Sequence, residues 1–159
     1  MRNAFFLVVG LVLGAGLQGL RGQQRDIISL NHVAIAVEDF AGASRFYSQL
    51  MNFPEAFALR EANGSPALSY FQINRNTFIE LMPVTADRPA GFVHFGLEVT
   101  NVDDVVKRLR STGMSVGDPG TSPRTKSRIA VARTPQGTSL ELLEFRPDSL
   151  HRKVIDAWK

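Results

Sequence analysis

The sequence predicts an α+β domain made of two copies of a strand–helix–strand–strand–strand module, about residues 29–85 and 91–146. Three observations predict it. The run Leu30-Asn31-His32-Val33-Ala34-Ile35-Ala36-Val37 is replayed by Gly91-Phe92-Val93-His94-Phe95-Gly96-Leu97-Glu98-Val99, which sets His32 and His94 62 residues apart. Phe78-Ile79-Glu80-Leu81-Met82 is replayed by Ser139-Leu140-Glu141-Leu142-Leu143, with Glu80 and Glu141 61 residues apart. Between the copies, Pro83 to Gly91 carries two prolines and no hydrophobic period, as a connector does. At 159 residues, 44% hydrophobic and 21% charged, the chain can bury one core.

In chain order, Met1-Arg2-Asn3 is a short basic start, Ala4 to Leu17 is apolar or Gly, and Gln18 to Gln24 is small and polar. That layout predicts a signal peptide over residues 1–22, which would place the domain outside the cytoplasm, periplasmic or secreted. The alternative is an uncleaved membrane anchor over residues 4–20, which hold 17 uncharged positions, at the lower limit for spanning a bilayer. Leu30 to Val37 alternates, so Val33, Ile35 and Val37 face a core while His32 shares the other face with Ala34 and Ala36. Small neighbours leave room beside that imidazole. Asp39 caps a helix over Phe40 to Met51, where Phe46, Tyr47 and Leu50 fall at helical spacing as core residues, and Asn52 takes the left-handed position after it.

Pro54 to Ala62 and Pro66 to Ile73 read as strands joined through Asn63-Gly64, a tight-turn pair. After a second turn at Asn74-Arg75-Asn76, Thr77 to Val84 alternates with Phe78, Glu80 and Met82 on one face. From Phe92 the order restarts: Val93, Phe95, Leu97 and Val99 face a core, and His94, Gly96 and Glu98 face away from it. Asn101 caps a helix through Arg110, apolar at Val105, Val106 and Leu109, with Gly113 just past its end. Residues 114–127 are weakly patterned, so the first strand after this helix is faint; Arg128 to Ala132 is a clear one. Thr134-Pro135-Gln136-Gly137 turns into the last strand, Thr138 to Phe145. The tail, residues 147–159, suits a short helix on Leu150, Val154, Ile155 and Trp158 and is assigned no chemistry.

Charge and cysteine content exclude several functions. Without Arg2 and Arg21 the 18 Lys and Arg become 16 against 15 Asp and Glu, too balanced to attract nucleic acid. With no Cys there is no disulfide, thiolate metal site or thiol nucleophile. Two His and two Glu remain as the chemistry-bearing set. A lone strand His is most often a hydrogen-bonded structural residue. Here, however, each His and each Glu sits opposite the core-facing side chains of its own strand, at equivalent places in two modules. Related by an approximate two-fold, the four converge on one point, and two imidazoles with two carboxylates are the ligands of a divalent ion: Zn, Ni, Mn or Fe. Without an ion, two enclosed carboxylates would repel each other and one would be driven towards protonation.

Leu30 to Val37, Arg45-Phe46-Tyr47-Ser48-Gln49-Leu50, Phe78-Ile79-Glu80-Leu81, Val93-His94-Phe95 and Thr134 to Leu142 resemble the vicinal oxygen chelate superfamily. This group includes glyoxalase I, methylmalonyl-CoA epimerase, extradiol dioxygenases and the bleomycin and fosfomycin resistance proteins. The resemblance covers residues 28–146 and implies paired βαβββ modules whose curved mixed sheets enclose a metal site, with helices outside and often a homodimer. Its ligand positions fall on His32, Glu80, His94 and Glu141. The full set is similar to the glyoxalase I branch, a lyase or isomerase chemistry in which the metal holds two neighbouring oxygens of a small-molecule substrate and stabilises an enediolate, with Glu141 or Glu80 as catalytic base. Glu98 is a third acidic candidate, read as polar lining.

Two departures set this chain apart: the Arg and Asn that contact glutathione in bacterial glyoxalase I are replaced by Ala36 and Val84. An exported protein also meets little glutathione or CoA thioester. An extradiol dioxygenase would need only His32, His94 and Glu141 on iron, and Glu80 counts against it. A metal-free binding module of the bleomycin-resistance type has no use for the four ligands. The basic loop Arg124-Thr125-Lys126-Ser127-Arg128 reads as solvated.

Overall fold

The computed structural model describes residues 26–159, so the expected signal peptide or anchor at 1–22 lies outside the described residues. Strands β1 (Ile27–Val37), β2 (Glu55–Arg60), β3 (Pro66–Asn74) and β4 (Thr77–Pro83) form the first module. The second holds β5 (Gly91–Val99), β6 (Gly120–Thr121), β7 (Arg128–Arg133) and β8 (Ser139–Glu144). Helices α1 (Phe40–Arg45) and α2 (Val102–Ser111) follow β1 and β5, and α3 (Leu150–Ala157) ends the chain. The expected order of elements is present in both halves, and the faint strand is the two-residue β6.

The eight strands make one curved open sheet in the order β2-β3-β4-β1-β5-β8-β7-β6. Each module is closed by a parallel pair, β1 with β4 and β5 with β8, and the modules join through antiparallel β1 and β5. Both halves of the pseudo-two-fold therefore come from one chain.

Local chemistry fixes the element ends. Asp39 Oδ1 accepts from the Gly42 amide at 2.8 Å and Asn101 Oδ1 from Asp104 at 3.0 Å, each satisfying an otherwise orphaned N-terminal donor. Gly64 (φ 83°) supplies the left-handed turn of the β2–β3 hairpin, and Asn52 (φ 54°) ends the first helical segment. Asp103 and Asp104 in the first turn of α2 and Arg108 and Arg110 in its last complement the helix dipole.

Helices α1 and α2 lie on the sheet face opposite His32, as expected. Val102, Val105 and Val106 of α2 pack on Val99, Ala130, Ala132, Leu140 and Leu142. The first helix departs from expectation. After Arg45 the backbone widens into a π-helical turn, Phe46–Leu50, with the Met51 amide bonded to the Phe46 carbonyl at 3.0 Å. The wider turn rotates the side chains, so Tyr47 meets Phe71, whereas Phe46 and Leu50, expected in the core, are exposed.

The tail forms α3 and lies on the other side of the sheet, over the His32 face. Ile155 is buried against Tyr70 and Phe78, with Phe57, Leu68 and Phe145 around it. Full burial of an Ile contributes about 1.5–3 kcal/mol towards docking a two-turn helix that would not persist alone. Covered in this way, the His32 face is more enclosed than the Val33/Ile35/Val37 face: His32, Ala34 and Ala36 are buried and the β-branched set only half-buried.

Candidate metal centre

Strand register alone brings the four residues together. Across β4, β1 and β5 one row reads Glu80, Ala34, His94; across β1, β5 and β8 the next reads His32, Gly96, Glu141. The two-fold exchanges the rows, so each His faces a Glu of the same row across one small residue. With neighbouring strands about 4.8 Å apart, a His and a Glu two strands away can meet only over a short side chain. Gly96 is the stricter case. A Cβ there would fall onto His32 Cε1 and stand 2.6 Å from His32 Nδ1 and 2.7 Å from Leu143 Cδ1.

The side chains converge on one point. His32 Nε2 and His94 Nε2 are 3.0 Å apart. Glu80 Oε2 lies 3.4 Å from the first and 3.1 Å from the second, and Glu141 oxygens lie 3.9 and 3.7 Å away. Ligand atoms of His32, His94 and Glu141 fall within 4.8 Å of one another. Atoms bound about 2.0–2.2 Å from a common ion are roughly 3–3.5 Å apart, so the His32, His94 and Glu80 atoms stand at ligand spacing for a divalent ion and the Glu141 oxygens slightly wider. The donor chemistry agrees, because Glu80 Oε2 is buried and has no hydrogen-bond partner among the described residues. Two imidazole nitrogens at contact beside such an oxygen are stable only with a shared cation or proton.

The tautomer of His32 is set from outside. Asn31 Nδ2 donates to the Asn76 carbonyl at 3.1 Å, which turns Asn31 Oδ1 towards His32 Nδ1 at 3.0 Å. The Nδ1 proton is held there, and the Nε2 lone pair faces His94 and the carboxylates. Burial, helped by His94 and His151, lowers the His32 pKa well below the usual histidine value and keeps the ring neutral. Burial also pulls on His94, but the Glu80 carboxylate 3.1 Å away and the charge of Glu141 outweigh it and raise its pKa. Glu141 is raised by burial and by Glu80, against the opposing pull of His94. Tyr70, paired with Glu80 across β3 and β4, is held as a neutral phenol by burial and by both carboxylates.

The quartet opens on a cavity of about 210 Å³ lined by Glu80, His94 and Glu141 together with Tyr70, Thr125, Arg124 and His151. His151 of α3 is 1% exposed and stacks on Phe145 at 4.7 Å, so the tail that sequence left without chemistry forms part of the wall. Its signal in the sequence was slight: a His four residues before Ile155 on the buried face of an amphipathic helix. Asn31 and Gly96 gave no signal at all, since their roles depend on strand register.

Other expectations resolve differently. Glu98 is buried on the same face but bonds Ser29 Oγ at 3.3 Å and faces Arg152, away from the cavity it was expected to line. The basic loop is not freely solvated: Arg124 makes a two-point ion pair with Glu61 at 2.7 and 3.2 Å, and Arg128 pairs with Asp103. Ala36, in a place where glyoxalase I contacts glutathione, is 1% exposed and is not part of the wall of this cavity.

Comparison with known proteins agrees with the architecture. The family described as Glyoxalase/Bleomycin resistance protein/Dioxygenase superfamily matches residues 29–142. The uncharacterized protein YaeR of Escherichia coli (strain K12) is 28% identical over 123 residues, 72% of this chain and 95% of that protein. The iron-dependent extradiol dioxygenase of Rhodococcus jostii (strain RHA1) is 34% identical over 86 residues, 48% of this chain but only 28% of the dioxygenase. The crystal structure of methylmalonyl-CoA epimerase from Mycobacterium tuberculosis superposes with a TM-score of 0.66 at 21% identity, over 80% of this chain and 95% of that one, a likeness of fold. With paired modules, a two-fold quartet and a family match across both halves, the chain belongs to the glyoxalase/bleomycin resistance protein/dioxygenase superfamily.

Proposed function

We propose that the protein is an exported, divalent-metal-dependent lyase or isomerase acting on a small molecule with two adjacent oxygens. The observation that carries it is the convergence of His32, Glu80, His94 and Glu141 around the 3.0 Å contact of the two imidazoles, with Glu80 Oε2 left unpartnered. His32, His94, Glu80 and Glu141 would hold the ion. When bound, it supplies Lewis-acid polarisation and a template for the two oxygens. Glu141 is the base: its side chain is 21% exposed against 6% for Glu80, it lines the cavity, and it stands farthest from the imidazoles. Glu80 and the two His fix the ligand frame.

The export part of the reading rests on the layout of residues 1–22 and is tested by N-terminal sequencing of protein recovered from cell fractions. The metal part is tested by elemental analysis of protein purified without chelator, with thermal-shift screening against Ni, Zn, Mn and Fe. One ion per chain is expected, lost on Glu80→Gln or His94→Ala. A chain that takes up no ion, and whose melting is indifferent to all four metals, is a binding module instead.

A second reading has its own support. His32, His94 and Glu141 form a two-His, one-carboxylate set, the ligand type of non-haem iron oxygenases, and one curated relative is an iron-dependent extradiol dioxygenase. Oxygen uptake with catechols by the ferrous protein would decide for it. Glu80, 3.1 Å from His94 Nε2, would occupy a position that reaction needs open and is the reason it ranks second.

A further inference from the structure

Besides Glu80 Oε2, two more buried polar atoms have no hydrogen-bond partner among the described residues while their side chains line the same cavity: Thr125 Oγ1 and His151 Nε2. Both belong to one wall. The Leu150 amide at the start of α3 bonds the Thr125 carbonyl at 2.9 Å, and His151 Nδ1 meets Ser127 Oγ at 3.1 Å. Leaving two such atoms dry is costly, so a pair lining one cavity calls for a ligand.

The tautomer of His151 follows from counting donors. If Nδ1–H donated to Ser127, the serine hydroxyl would lack an acceptor and Nε2 would also stay unpartnered. If Ser127 donates to Nδ1, only the Nε2–H is left over. The second arrangement satisfies more groups and makes Nε2–H a free donor. Burial lowers the His151 pKa to about 3, so the ring stays neutral at working pH. Thr125 adds a hydroxyl, which also donates. Arg124, the cation at this wall, is already engaged by Glu61.

We infer that the Thr125–His151 wall is a second substrate subsite, which takes an acceptor oxygen carried by the substrate beyond the two oxygens held at the quartet. This deepens the reading of the quartet as a metal site and rests on it. The substrate class is a small hydroxy or oxo acid with a further carboxylate or carbonyl. Size agrees: the cavity, about 210 Å³, is below the range of drug-sized pockets and suits a small acid.

The test compares lactate, which has adjacent oxygens only, with malate, which adds a carboxylate. Titration calorimetry on the full metal-loaded chain should show malate binding about tenfold more tightly. His151→Phe, which suits a surround of Phe57, Phe78 and Phe145, and the isosteric Thr125→Val should each bring that preference to within about twofold. Nitrogen-15 NMR should show His151 as the neutral Nε2–H tautomer, shifted by malate and not by lactate. Metal uptake with no malate preference, or a preference that survives in both variants, overturns the subsite and leaves the metal site standing. Malate shifting His151 in a chain that takes up no metal does the reverse: the subsite stands and the metal reading falls.

Discussion

Replacing Gly96 by Ala adds one methyl group at the point where the fold is least able to take it. The new Cβ would land on His32 Cε1 and lie 2.6 Å from Nδ1 and 2.7 Å from Leu143 Cδ1, so the imidazole must move by about an ångström to regain contact distance. Gly96 is not at positive φ, and Ala in a strand interior would otherwise stabilise by about 0.5–1 kcal/mol. Against that gain, overpacking of this kind costs about 1–3 kcal/mol, and the steric term wins. Moving the ring also breaks its 3.0 Å bond to Asn31 and turns Nε2 out of the quartet. Disturbing a ligand's orientation typically lowers metal affinity about 10–100-fold. Urea unfolding of the metal-free protein gives the first number, and metal titration against a competing chelator gives the second. Gly120→Ala is the control, since nothing lies within 4 Å of its added methyl. Gly96→Ala with stability and metal affinity both indistinguishable from the Gly120 control would refute the account of how the two rows meet.

Asn31→Ala removes the acceptor that holds the His32 Nδ1 proton; it should cost about 1–3 kcal/mol in urea unfolding and weaken metal binding about tenfold or more. Acid should destabilise the metal-free protein through His151. Its pKa is about 3 when folded and about 6.5 when unfolded, so below pH 6.5 the unfolded chain binds the extra proton, and stability falls by about 1.4 kcal/mol per unit towards pH 3. Urea midpoints at pH 7 and pH 5 measure this, and His151→Phe should flatten that part of the slope. Glu141→Gln should abolish proton exchange at the substrate carbon, followed by NMR in deuterated water, and weaken metal binding less than Glu80→Gln, which should lose metal. Equal metal retention in the two variants would contradict the division of roles.

Much of the site was legible because duplication doubles the signal. A single strand His such as His32 says little, but the same His 62 residues later, each followed by a Glu on the matching face, singled out all four side chains that the fold brings together. Capping residues Asp39 and Asn101 and turn residues Asn52 and Gly64 were legible because their effects act within a few positions of chain. Phe46 and Leu50 misled, because a helical period cannot announce that the backbone will widen by one residue in mid-helix.

What the sequence determined by itself was therefore the module, its repeat and the identity of the quartet, all properties of alternation within a strand. Only the tertiary structure decided that β1 and β5 join edge to edge in one chain, that Ala34 and Gly96 are the gaps over which His and Glu meet, and that α3 returns to close the cavity with His151. The physical reason is range. Strand period and caps are set by neighbours a few residues away, whereas register across strands and the docking of a terminal helix depend on which buried surfaces fit once the chain has folded.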